Sequence, residues 1–534
     1  MSLSRRDFLQ ASMGAASLAA CRGTLPFGAR DAGPFLHGVA SGDPGPDRVI
    51  LWTRVTPEPG RELDSVAVTW RLTRDPQLRD IAAQGVVDAN PARDHTVKLD
   101  PVGLEPGAAY WYQFEARGSR SPIGRTRTLP VGRVERVRLG FCSCANLPHG
   151  HFNAYGALAR RNDLDAVLHL GDYLYEYGNG EYGDGTALGR VPEPAHEIVS
   201  LGDYRRRHAQ YKRDPELQEL HRQHAVVAVW DDHESANNSW MGGAENHGLG
   251  EGDWQVRKRA AIRAYLEWMP VREMPGAGSD SRDARIYRGF RFGDLADLWM
   301  LDTRLVGRSA PLERDLAAPW DDPNRSLLGA AQEAWLLEQL SRSAEEGVGW
   351  RVLGQQVFFS PLAMPGKTPN PDAWDGYPVA RARLLDRLER DAIENVVVLT
   401  GDIHSSWALD VARTPFDPAT YDRATGRGSL AVEFVAPAVS SSALGTFPRA
   451  VEAFRDAEKT HPHLHWLDMD RQGYGLLDLE RGRAQGEWWF VETVREARLD
   501  ERFARAFRTR AGRSHLEPVV LASRPLADRP PCAP

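Results

Sequence analysis

Four cysteines in 534 residues are too few for a disulfide scaffold. Cys21 falls in the leader, which leaves Cys142, Cys144 and Cys532, so at least one thiol is unpaired or put to another use. An excess of basic charge is also missing. The net charge is −7, which gives no positive field for a nucleic-acid scaffold. No apolar run is long enough to span a bilayer, and no repeat or low-complexity tract is present. What remains is an ordinary soluble composition on a chain long enough for a leader, two domains and a large core.

The first 34 residues stand apart as a leader. Ser4-Arg5-Arg6-Asp7-Phe8-Leu9-Gln10 followed by the mild apolar stretch 11–20 resembles a twin-arginine export signal, which implies the Tat translocase as a partner. Leu18-Ala19-Ala20-Cys21 resembles a lipoprotein box, so Cys21 is either a lipid-anchored residue or an incidental one beside a plain cleavage site. The expected location is periplasmic, extracellular or lipid-anchored at the envelope.

Residues 35–130 read as all-β. Short strands such as 49–55 and 66–70 are bounded by Pro, Gly and Asp, and Leu104-Glu105-Pro106-Gly107 turns into the aromatic strand 110–114. That corner resembles those of fibronectin-like sandwiches. From about residue 131 to 500, apolar strands alternate with charged helical segments, which predicts an α/β sandwich of two mixed β-sheets flanked by helices. Expected core strands are 137–141, 166–170, 226–230, 298–301, 352–353 and 396–400, with 431–435 and 488–494 as additions on a second sheet. Residues 501–534 form a C-terminal extension, whose Pro-rich tail from Ser514 to Pro534 is expected as an irregular wrap or lid.

Polar clusters follow directly on four of the apolar strands, where ligands collect in α/β sheets. They are Gly140-Phe141-Cys142-Ser143-Cys144, His169-Leu170-Gly171-Asp172-Tyr173-Leu174-Tyr175-Glu176, Trp230-Asp231-Asp232-His233-Glu234 and Gly401-Asp402-Ile403-His404. A Gly-Asp after a strand is commonly a turn, and an acidic run is commonly a solvated loop. Four such clusters in one chain point instead to one shared site. No Ser/His/Asp arrangement emerges.

The order of these clusters is similar to the ligand order of calcineurin-like metallophosphoesterases. Together with Asp203-Tyr204-Arg205-Arg206-Arg207-His208, Leu301-Asp302-Thr303-Arg304 and Trp374-Asp375-Gly376-Tyr377-Pro378, they resemble the PhoD family of alkaline phosphatases, from about residue 35 to 500. The resemblance implies an exported hydrolase of phosphate mono- and diesters. It also implies a site with Fe(III) and one or two Ca²⁺, other divalent metals being alternatives. Cys144, Asp172, Tyr175 and His404 would be the iron ligands, with Asp172 bridging to calcium and Asp232 and Asp402 on the calcium side.

The residue types agree with that division. Thiolate, phenolate and imidazole suit a transition metal, and carboxylates suit a hard cation. Gln355 and Gln356 are further calcium-ligand candidates. Cys142 and Cys144 share a strand face, and the family position is the second. His233 is a candidate acid or phosphate contact, with a supporting structural role as the alternative. Arg205 is a candidate phosphate fork, with a surface helix charge as the alternative. His169 is expected to be a core histidine. Substrates would be small phosphate esters, or else phospholipid head groups or nucleotide diesters. A non-catalytic phosphate- or metal-binding protein is the alternative of another class.

Overall fold

The computed structural model describes residues 33–274, 284–527 and 529–534. The expected export signal and Cys21 lie outside the described residues. Among the described residues, no helix is long and apolar enough to cross a membrane.

Two mixed sheets pack face to face. The first is built around the parallel strands Arg136–Cys142, Ala166–His169 and Ala225–Ala228. The antiparallel strands Gly473–Glu480, Arg483–Val491, Glu501–Arg510 and Glu517–Val519 extend one side of it. The second sheet runs through the parallel strands Ala296–Met300, Trp350–Gly354, Val396–Thr400 and Ser429–Val435. Antiparallel strands flank these, among them Ser406–Ala412 and Leu464–Asp468. Val396–Thr400 and Ala166–His169 are buried along their whole length, the pattern of parallel strands covered on both faces. Trp488 joins the sheets, donating its indole N–H to Val435 O at 2.9 Å and packing on Phe434. The two late segments therefore divide: 431–435 lies in the second sheet and 488–491 in the first.

Helices cover the outer faces. Leu336, Leu340, Leu384 and Leu388 of Ala330–Glu345 and Pro378–Arg390 close over Leu353, Val396 and Val398. Leu201–Tyr211 begins at a reciprocal capping box between Ser200 and Asp203, and packs against Trp254–Trp268.

The β-rich segment before residue 130 carries strands on two sheets. Val66–Thr73, Ile81–Ala89, Ala109–Ala116 and their neighbours make a five-stranded sheet. Val39–Gly42, Ile50–Arg54 and Thr96–Leu99 instead complete the ten-stranded sheet, with Val39–Gly42 pairing parallel to Ala225–Ala228. The expected corner is there: Glu105 N–H donates to Tyr110 Oη at 2.8 Å.

The C-terminal extension is no lid. After its two strands, it runs past the amino ends of the first sheet's parallel strands. Arg529 pairs with Asp165 at 2.9 and 3.0 Å, and Ala533 N–H donates to Gln223 Oε1 at 2.8 Å. The four polar clusters sit at the opposite, carboxyl ends.

Candidate functional site

Three of the four clusters leave their strands through a sharply bent backbone. Cys144, Asp172, Asp402 and His404 all have left-handed φ values, between 53 and 64°. None is glycine, and such conformations cost of order 1–3 kcal/mol each unless the surroundings hold them. Gly171, at φ 110°, does need to be glycine: a Cβ there would lie 2.4 Å from Asp231 Cβ. Glu234 ties two of the loops together. Its carboxylate accepts the backbone N–H groups of Asp231 at 2.8 Å, Tyr173 at 2.6 Å and Asp172 at 3.2 Å.

These bends bring the expected ligands together. Cys144, Asp172 and His404 each offer a ligand atom within 4.8 Å of the others, as do Asp172, Asp232 and His233, and again Asp231, Asp232 and Asp402. Asp172 is common to the first two groups and Asp232 to the last two. Tyr175 Oη donates to Asp172 Oδ2 at 2.9 Å and lies 3.0 Å from His404 Nε2, and it accepts from Ser441 Oγ at 2.8 Å. His404 Nδ1 donates to Ser442 O at 3.0 Å, which leaves Nε2 as the unprotonated nitrogen facing Tyr175.

Burial dominates the electrostatics. It pushes the Cys144 thiol and the Tyr175 hydroxyl well above their usual ranges, and Asp172 adds to both. It lowers His404 to about 4, with the neighbouring His233 charge helping, so this imidazole is neutral. Asp402 is raised to about 8 by burial, against the pull of Arg304. Burial alone would lower His233, but the carboxylates of Asp232, Glu176 and Asp172 outweigh it and hold the ring protonated. Glu176 Oε2 lies 2.7 Å from His233 Nδ1, and the ring stacks on Tyr175 with centroids 4.2 Å apart.

Arg304 is the largest feature the sequence left without a role. Fully buried, it reaches Asp372 at 2.7 Å, Asp402 at 2.9 Å and Asp232 at 3.7 Å, and it also donates to Asp231. Its signal was the strand-end segment Leu301-Asp302-Thr303-Arg304, but nothing local names its four carboxylate partners. Ser441, Ser442 and Asp372 carried no signal of their own.

Three candidates fall elsewhere. Arg205 is not brought to the site: its guanidinium is held by both oxygens of Glu267 at 2.7 Å and by Ala92 O. Adjacent positions on a helix point about 100° apart, and it is Arg207 that turns inward, donating to the carbonyls of Tyr175 and Tyr177. Gln355 and Gln356 are not free to bind a cation, because Trp374, Thr400, Thr303 and Leu301 O occupy their amides. Cys142 is buried in the core, its thiol directed at Leu168 O. His169 is a core histidine bonded to Tyr155 Oη at 2.7 Å.

The ligand groups open into a cavity of about 530 Å³. Its lining combines the polar residues Asp172, Asp232, His233, Asp372, Asp402 and His404 with an apolar part made by Phe358, Leu444, Phe447, Ala450 and Phe454. Among the described residues, those lining it include no Lys or Arg.

Comparison with known proteins places this geometry. The PhoD-like phosphatase family matches residues 139–488, and the N-terminal domain of PhoD-like phosphatases matches residues 22–130. The chain is 38% identical over 460 residues to alkaline phosphatase D of Bacillus subtilis strain 168, across 83% of this chain and 75% of that protein. A solved structure of PhoD superposes with a TM-score of 0.82 at 33% identity, covering 92% of this chain and 93% of its own. The chain therefore belongs to the PhoD-like phosphatase family and is a phosphoesterase hydrolase.

Proposed function

We propose that this phosphoesterase is exported through the twin-arginine route and hydrolyses phosphate mono- and diesters with a metal pair, Fe(III) beside one or two Ca²⁺. The observation that carries this reading is a chain of shared carboxylates: Asp172 belongs both to the Cys144–His404 group and to a group with Asp232 and His233, and Asp232 belongs in turn to a group with Asp231 and Asp402.

The donors fit such a pair. Thiol, phenol and imidazole on one side favour a transition metal, and carboxylates on the other favour a hard ion. A strongly acidic cation is required there, because burial disfavours the ionised Cys144 and Tyr175. Asp172 Oδ1 is buried without a hydrogen-bond partner, which costs about 1–3 kcal/mol unless a cation uses that lone pair. Bound there, the metals would supply Lewis acidity to phosphoryl oxygens and acidify a water molecule.

The chain's own residues do the rest. Asp172 fixes the spacing between the two halves. His233, protonated and oriented by Glu176, is placed to give a proton to the leaving oxygen. Tyr175 and Tyr182 pack around His233 and His404 and hold the two rings in place.

Elemental analysis and the visible spectrum of exported protein test the assignment. The wild type should contain iron and calcium and show phenolate-to-iron charge transfer. Cys144→Ala should lose iron and at least about 100-fold in activity, since loss of a group merely supporting a ligand already costs about 10–100-fold. Cys142→Ala should keep both. A colourless, iron-free and fully active enzyme would overturn the metal assignment, and the reverse cysteine pattern would overturn the choice of thiol.

The apolar part of the lining favours, as a second reading within the same chemistry, diesters with an apolar arm, such as phospholipids. Phe454→Ala should raise KM for a short-chain phosphatidylcholine roughly five-fold, the effect of losing about 1 kcal/mol of apolar burial, and leave glycerol phosphate nearly unchanged. Equal changes for both substrates would remove this preference.

A further inference from the structure

We propose that Asp410, His465 and His515 form a separate, structural site for a zinc-class divalent cation, which fastens the C-terminal hairpin to the second sheet. The three residues come from distant parts of the chain: the strand Ser406–Ala412, the strand Leu464–Asp468 and the turn before Glu517–Val519. Their ligand atoms lie within 4.8 Å of one another. Asp410 is four residues along the strand that begins at Ser406, on the order of 13 Å beyond the loop that carries His404 at about 3.3 Å per residue.

The donor set is of the right kind. Two imidazoles and a carboxylate suit zinc, cobalt or nickel far better than calcium. Asp410 Oδ2 lies 2.7 Å from His515 Nδ1 and 3.1 Å from His465 Nε2, and it accepts from Tyr421 Oη at 2.9 Å. Tetrahedral bonds of about 2.0–2.1 Å place ligand atoms roughly 3.3 Å apart, so only small side-chain shifts are needed. Tyr421 or a water would take the fourth position.

His465 supplies an independent indication. Its side chain is 10% exposed, and Nε2 is buried without a hydrogen bond although it sits 3.1 Å from the carboxylate. A buried ring nitrogen without a hydrogen bond, this close to a carboxylate oxygen, is left with a lone pair that a cation shared with the carboxylate would satisfy. The backbone also seats this cluster. Leu516 N–H donates to Asp410 Oδ1 at 2.9 Å, and Gly426, at φ 71°, approaches so closely that a Cβ would lie 2.4 Å from His515 Cβ. His515 is partly exposed, which gives an ion access from solvent.

The test compares the purified holoenzyme with its His515→Gln variant, which keeps a hydrogen-bonding side chain but removes the imidazole. Both are dialysed against Zn²⁺ and then against buffer. The wild type should retain about one zinc per chain more than the variant, and Zn²⁺ should raise the Tm of the wild type only, with kcat/KM equal in the two. Equal zinc content and an equal Tm response would overturn the proposal. Should His515→Gln fail to fold, Co²⁺ loading of the wild type decides. A cobalt with nitrogen and oxygen ligands and no thiolate charge transfer supports the site, and its absence refutes it.

Discussion

Asp172→Asn is expected to lower kcat/KM by about a thousand-fold or more while the protein stays folded. Asp172 is the one carboxylate common to the thiol–imidazole group and the Asp232–His233 group, so its loss disturbs both halves of the site at once. A supporting residue outside the ligand set already costs about 10–100-fold, and a shared ligand must cost more. Asn is the right replacement. The backbone at this position is left-handed, φ 55°, which Asn tolerates and Ala does not. Asn can also still accept from Tyr175 Oη. Thermal unfolding of chelated protein should therefore change little, whereas elemental analysis should show reduced metal. A variant with full metal content and wild-type kcat/KM would refute the bridging role.

Arg304→Met should be the most destabilising single change at the site, by about 3–5 kcal/mol, the cost of breaking a buried charge network from one side. Met fills the space but leaves Asp231, Asp232, Asp372 and Asp402 facing one another. The effect has a pH signature in chelated protein. The Asp402 carboxyl is raised to about 8 in the fold, against about 4 when unfolded. Between those values the folded state binds a proton that the unfolded state does not, so stability falls as pH rises. Removing Arg304, which pulls this carboxyl down, carries the fall on to higher pH, so the deficit should be larger at pH 9 than at pH 5. Urea denaturation at the two pH values measures it. An equal deficit at both, or a loss below about 1 kcal/mol, would show that the guanidinium does not hold the cluster.

The ligand loops were legible in the sequence because the signal is local. An apolar strand that ends in Gly-Asp, Asp-Asp or Cys-x-Cys announces both the strand and the exit from it, and the candidates Cys144, Asp172, Asp232 and His404 all stand at such exits. Arg205 shows where local signal ends. Three consecutive arginines on one helix cannot say which faces inward, and tertiary packing gave Arg205 to Glu267 and turned Arg207 to the backbone carbonyls of Tyr175 and Tyr177. The parallel pairing of Val39–Gly42 with Ala225–Ala228 was equally silent, since nothing in either strand names a partner more than 180 residues away. The aspartates around Arg304 are hidden for the same reason. Each is an unremarkable acidic residue in a loop until the fold collects them.

The left-handed bends at Cys144, Asp172, Asp402 and His404 also bear on how the site is loaded. Glu234 and the strand ends hold these loops through protein contacts alone, so a cation bound there would cost little further chain entropy. Selectivity would then come from the fixed spacing of the candidate ligands, since an ion of the wrong radius would bind only by straining the hydrogen bonds that hold the bends.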